Sequence, residues 1–261
     1  MIPHAPDPAA TEALLAFWRD AGIDSCYLDK PLDRTIFVAP TAPAAVLRAV
    51  PSLPPAGGTV PVEEAVAEAR RIAAAAQTLE ELEQAVAQFK ACPLTGLGAK
   101  QAVFGRGNPK ADLLIIGEAP GEIEDQGGIA FSGEPGRLLD RILAASALSE
   151  QSFLTNSVFW RPPGNRLPTA QELAICAPLV ERIAALIQPK AVLFIGDTAA
   201  KSFVKSDDSL MKLRGQWRDW TLEDGGLTLP SLSTFHPVFL LKTPMAKRAV
   251  WADILQLMTK L

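Results

Sequence analysis

The spacing of apolar positions changes character partway along the chain. In the first part, apolar residues recur at helical intervals. Residues 10–23, ATEALLAFWRDAGI, read as a short amphipathic helix stopped by Gly22. Residues 39–62 hold six prolines and a Gly-Gly pair, which reads as a linker. Two further helices follow, EEAVAEARRIAAAAQ and TLEELEQAVAQF, the second opening on the capping pair Thr78 and Glu81. Residues 1–88 are therefore expected to form a helical extension with a Pro/Ala-rich linker, ahead of a separate domain at 89–261.

After Phe104 short, fully apolar runs alternate with helical patterns. DLLIIGE, SFLTNSV, KAVLFIG and LPSLSTFHP read as strands. EPGRLLDRILAAS, TAQELAICAPLVERIAALI, DTAAKSF and PMAKRAVWADILQLM read as the helices between and after them. Continuous apolar strands joined by helical crossovers predict a three-layer α/β/α sandwich with a mainly parallel, four-stranded central sheet. In such sheets ligands bind beyond the carboxyl ends of the strands. Those ends carry Glu118, Asn156, Gly196 and His236, so a carboxylate, an amide and an imidazole can share one crevice.

The first strand runs into GEAPGEIED, residues 117–125. A glycine turn after a strand suggests phosphate, but this one carries Glu118, Glu122, Glu124 and Asp125, whose charge would repel a pyrophosphate. It also lacks the Lys-Ser/Thr of a P-loop and the spacing of the dinucleotide fingerprint.

Composition narrows the classes without choosing a function. Apolar residues make up 48% of the chain and charged residues 21%, which describes a globular protein. No apolar run approaches the roughly 18 residues of a membrane span, and the start lacks a signal-type pattern, so a cytoplasmic protein without membrane partners is expected. Cys26, Cys92 and Cys176 are too few and too scattered for a disulfide framework. A net charge of −4 argues against wholesale coating of nucleic acid and leaves a local basic groove open.

Four blocks resemble the uracil-DNA glycosylase superfamily, and within it the family IV, phage DNA-polymerase-related type. They are GEAPGEIEDQGGIAFSGEPGRLLDRIL, LTNSVFWRPPGNRLPTAQEL, LIQPKAVLFIGDTAAKSF with the later LRGQW, and STFHPVFLLKTPMAKRAVWADIL. Together they cover most of residues 92–261. The resemblance implies a monofunctional glycosylase, expected to be monomeric, that removes uracil from single- or double-stranded DNA and leaves an abasic site in base-excision repair. Such an enzyme takes the base out of the stack and reads its hydrogen-bonding edge.

The roles that follow from the resemblance fall on particular residues. Asn156 would read the base, Phe131 would stack on it, and backbone at Gly117, Ala119 and Gly121 would approach it closely. His236 would stabilise the departing anion. Ala119 stands where the classical enzymes carry a water-positioning aspartate, which leaves Glu118, Glu122 or Asp125 as the group that acts on water, with Asn165 as a candidate behind them. Arg161, Arg166, Arg214 and Lys242 would meet phosphates, and Phe239, Leu240 or Leu241 would fill the gap left by the flipped nucleotide. No lysine falls beside the strand ends, so no lyase step is expected.

Family IV enzymes hold a 4Fe-4S cluster with four cysteines. This chain keeps Cys92 and Cys176, while Phe89 and Trp160 stand at the other two positions. Four thiolates are needed, so no cofactor and no metal are expected, with Phe89 and Trp160 as an apolar plug. Two alternatives stay open. One is a weakly active or inactive lesion-binding protein; the other is a glycosylase for another deaminated base such as hypoxanthine, with Ala130 and Ser132 beside Phe131 altering the pocket.

Overall fold

The computed structural model describes residues 61–261. The predicted helix at 10–23 and nearly all of the linker at 39–62 lie outside these residues.

A six-stranded sheet runs in the order β1-β3-β2-β4-β6-β5. Its four central strands are β2 (Leu113–Gly117), β3 (Ser152–Asn156), β4 (Ala191–Ile195) and β6 (Thr228–Thr234). All four are parallel, as the apolar runs predict. The expected four-stranded sheet gains two antiparallel edge strands, β1 (Arg106–Gly107) beside β3 and β5 (Arg218–Thr221) beside β6.

Alternation along the strands divides the interior into two cores. Leu114, Ile116, Val192 and Phe194 face one layer, which contains α1 (Val62–Ala75), α2 (Leu79–Gln88), α5 (Ala170–Ile187) and α6 (Asp197–Val204). Leu113, Ile115, Leu193 and Ile195 face the other, which contains α4 (Glu134–Ala145), α8 (Pro237–Lys242) and α9 (Lys247–Met258). Two short helices, α3 (Glu122–Gly127) and α7 (Leu210–Leu213), complete the described set.

The anticipated boundary at residue 88 is not where the packing changes. Ala65, Ala69 and Ala73 of α1 and Leu82 and Val86 of α2 are buried in the same core as Val192 and Phe194, and residues 61–261 fall in one compact unit. Small residues along α1 let it lie close against α5. The cap foreseen on α2 is formed, with the Glu81 N–H donating to the Thr78 hydroxyl at 3.1 Å. The long α5 opens on a full capping box, in which Glu172 N–H donates to Thr169 and Thr169 N–H to Glu172.

Candidate active site

Because the central strands are parallel, their carboxyl ends meet at one edge. Gly117 and Asn156 are partners in register, and Gly196 follows Ile195, the partner of Thr234. A cavity of about 840 Å3 opens at this edge, lined by Glu118, Phe131, Asn156 and His236, with further walls from the turn at 119–124, the loop at 165–168 and α8. A second groove of about 860 Å3 lies between α1, α5 and the turn after β5. There Arg70 is paired with Glu223 and Arg182 with the Ala76 carbonyl. Both arginines of this groove are thus already engaged, whereas the strand-end groups line open space.

Each strand-end group is held by a specific local device. The Glu118 carboxylate accepts the Thr198 N–H at 2.9 Å, at the first turn of α6, where the helix dipole favours negative charge. Gly196 makes this possible, since a Cβ there would lie 2.6 Å from the Glu118 carboxyl and its φ is +101°. Asn156 is 3% exposed, and its amide makes no hydrogen bond to any described residue. Gly117 lies against it, because a Cβ at 117 would come within 2.6 Å of Asn156 Oδ1 and 2.5 Å of the Phe131 ring.

Phe131 sits at φ +55°, a strained conformation for an aromatic residue. Arg106 stabilises the loop by donating to the Ala130 carbonyl at 2.7 Å and pairing with Asp140. The Phe131 and His236 rings are 6.5 Å apart at 28°. His236 caps α8, its Nδ1 accepting the Val238 N–H at 3.2 Å. Burial holds its pKa below the ordinary 6.5, opposed by the negative charge of Glu118. Both observations assign a neutral imidazole with the proton on Nε2.

Several anticipated residues have other work. Asp125 is buried and accepts the Lys100 N–H at 2.8 Å, so it pins the loop before β1 rather than facing the cavity. The Gly121 N–H is taken by Glu124 at 2.5 Å, which removes it as a donor to a base. Leu240 is fully buried in the core below α8, so it is not offered to DNA; Phe239 and Leu241 are exposed, and Phe239 lines the cavity. Ala130 and Ser132 do not line the cavity, so they do not set its width.

The arginines are engaged as well. Arg161 donates to Asn165 at 2.7 Å and lies 3.6 Å from Glu122, tying the 161–168 loop to α3. Arg166 lines the cavity and forms a two-pronged pair with the buried Glu172 at 2.6 and 2.8 Å. Burial alone would raise the Glu172 carboxyl, but Arg166 and Thr169 outweigh it and hold it low. Arg214 is bonded to the buried Asp253 and does not line the cavity. Lys242, expected as a phosphate contact, lines the cavity from the end of α8. Unanticipated is Leu167, 61% exposed at the cavity wall; its signal is an apolar residue between Arg166 and Pro168 in an otherwise polar loop.

A comparison with known proteins now bears on this edge. The family model for the uracil DNA glycosylase superfamily matches residues 104–255, more than half of the chain and all of the strand-end residues. The chain belongs to the uracil-DNA glycosylase superfamily. A type-4 uracil-DNA glycosylase of Thermotoga maritima is 36% identical over 182 residues, covering 68% of this chain and 92% of that protein. A type-4 uracil-DNA glycosylase of Sulfurisphaera tokodaii is 33% identical over 182 residues, covering 67% and 81%. A DNA polymerase of Bacillus phage SP01 is 28% identical over 142 residues, which is 15% of that polymerase.

Membership in this superfamily corrects one expectation. Type-4 uracil-DNA glycosylases bind a 4Fe-4S cluster, so the relatives point to an iron-sulfur cofactor where none was expected. Cys92 and Cys176 are buried and free, and their proximity together with burial pushes the Cys176 thiol up. The buried rings of Phe89 and Trp160 lie 6.0 Å apart. Two thiols do not match a four-thiolate donor set, and no step below passes through a cluster. Among the described residues, no helix is long and apolar enough to cross a membrane.

Proposed function

We propose that this chain is a monomeric, monofunctional uracil-DNA glycosylase that hydrolyses the N-glycosidic bond of uracil in single- or double-stranded DNA, leaving an abasic site in base-excision repair. The observation that carries the reading is the unpaired Asn156 amide, buried at the back of an open cavity between Phe131 and His236. An amide offers one donor and one acceptor side by side, which matches uracil O4 and N3–H and mismatches the reversed pattern of cytosine. A buried polar pair left unmatched by the wrong base penalises that base heavily.

The remaining groups divide the chemistry among them. Phe131 supplies a face for the base, and Gly117 allows close approach at its edge. As the bond to the sugar breaks, negative charge spreads onto uracil O2, where a neutral His236 Nε2–H can donate. That interaction is stronger in the transition state than in the ground state, which is what accelerates the step. The sugar becomes cationic, and Glu118 provides the nearby negative charge and the acceptor for attacking water. Of the acidic candidates in this turn, Asp125 is committed to backbone, which favours Glu118. At the mouth, Phe239 and Leu167 are exposed apolar side chains suited to fill the vacated stack.

The test is alkali-revealed cleavage of a labelled oligonucleotide carrying one uracil, single- or double-stranded, by wild type, Asn156→Ala and His236→Ala. Wild type is expected to cleave, and both variants to be slowed on the order of 100-fold or more. Borohydride should trap no adduct, since Lys242 lies at the rim on α8. A well-folded wild type inert on uracil in both contexts would overturn the proposal.

A further inference from the structure

A single residue, Phe235, separates His236 from the end of β6 at Thr234, and both Thr234 and Phe235 are tied to a buried ion pair. The Thr234 hydroxyl donates to Asp253 Oδ2 at 2.6 Å. Asp253, on α9, is 2% exposed and accepts Arg214 Nη2 on its other oxygen at 2.7 Å. The same guanidinium nitrogen donates to the Ala249 carbonyl at 2.7 Å. The guanidinium carbon lies 5.3 Å from the centroid of the Phe235 ring, which in turn packs 4.9 Å from Phe239. Gly215, at φ +67°, brings the chain against Asp253, where a Cβ would come 2.9 Å from Oδ1. The Gly215 N–H donates to Ser233.

A buried ion pair is weak evidence for stability, because desolvation offsets much of its attraction. Its geometry here serves something else. One oxygen of Asp253 fixes the end of β6, and its partner guanidinium fixes the ring between that end and His236. The rotation of the backbone at 234–235 sets where the imidazole Nε2–H points. We propose that Arg214 and Asp253 are positioning residues for His236, and that Arg214 is therefore not a phosphate contact. The inference rests on the role given to His236 in the uracil reading.

The experiment uses Arg214→Met, Asp253→Asn and, because either could disturb folding, Thr234→Val, which removes only the hydroxyl bond. Single-turnover excision is expected to fall on the order of 10- to 100-fold in the first two and less in the third, the cost of a small misplacement of a reacting group. Oligonucleotide affinity and its salt dependence should stay as in wild type. A phosphate contact would instead lower the salt slope by about one, at unchanged single-turnover rate, and that result would overturn the proposal. The chain has two histidines, so in a His4→Gln background the imidazole nitrogen resonances report His236 alone. They should shift in all three variants without DNA present. Unshifted resonances in folded variants would also overturn the proposal. Shifted resonances in a protein inert on uracil would keep the positioning role and discard the uracil reading.

Discussion

Two buried regions of this molecule, one around a pair of cysteines and one at the strand ends, are built on opposite terms. Around Cys92 and Cys176 the surroundings are apolar and closed: Phe89, Phe159 and Trp160 are buried in the same core, and the Phe89 and Phe159 rings each lie 6.0 Å from that of Trp160. At the strand ends, Asn156 is almost as buried, but its amide has no partner among the described residues and lines a cavity. A native interior rarely leaves a buried amide unpaired. The contrast teaches where to look for activity: in groups whose hydrogen-bonding capacity is aimed at empty space, rather than in burial or residue rarity. It also explains why Arg161, Arg166 and Arg214, chemically suited to phosphate, are the wrong place to look first.

The comparison is broken most directly by exchanging effects between the regions. Asn156→Ala should lower single-turnover excision on the order of 1,000-fold with a thermal midpoint shifted by no more than about 2 °C, because its amide has no partner among the described residues to lose. Trp160→Ala should do the reverse. It should cost about 3 to 5 kcal/mol in denaturant unfolding, as a large core truncation does, while activity per folded molecule is retained. Activity loss at Trp160 without destabilisation would erase the distinction drawn here.

Arg166→Ala should cost about 3 kcal/mol by leaving Glu172 buried without its cation. Because the folded-state pKa of Glu172 is lowered, the stability it contributes is present above its unfolded pKa and is lost as pH falls through the folded value. Acid unfolding of the wild type should therefore be steeper below about pH 4.3 than that of the Arg166 variant.

A smaller effect concerns His236. Its folded pKa lies below 6.5, so protonation is resisted and the excision rate should hold down to pH values under 6.5 before falling. His236→Gln should remove that acid limb. The protein should also lose stability as pH drops from 6.5 through the lowered pKa, since only the unfolded chain takes up the proton readily. The smallest effect is at the rim, where Lys242→Ala should weaken DNA binding and reduce its salt slope by about one without changing the single-turnover rate.

The strands of the parallel core were legible because a strand buried on both faces must be apolar throughout. Those runs, with the strand-end rule, led directly to Glu118, Asn156 and His236. The edge strands were not, since Arg106–Gly107 is too short to carry a pattern and Arg218–Thr221 has a single buried residue. Leu240 was grouped with its exposed neighbours although Pro237 starts a helix there; the three-residue spacing places both on the inner face. Asp125 stands beside other acids in sequence, and only the phase of α3 turns it inward. The partner of Arg214 lies farther away, with Asp253 39 residues beyond it, a pairing that local pattern cannot supply.

The most direct measurement of the central claim is single-turnover excision by wild type from three otherwise identical single-stranded oligonucleotides, carrying uracil, cytosine or hypoxanthine at one position. An unpaired Asn156 amide that reads O4 and N3–H predicts excision of uracil and none of cytosine, with hypoxanthine well below uracil. Equal excision of uracil and cytosine, or excision of hypoxanthine alone, would contradict the assignment of this crevice as a uracil pocket.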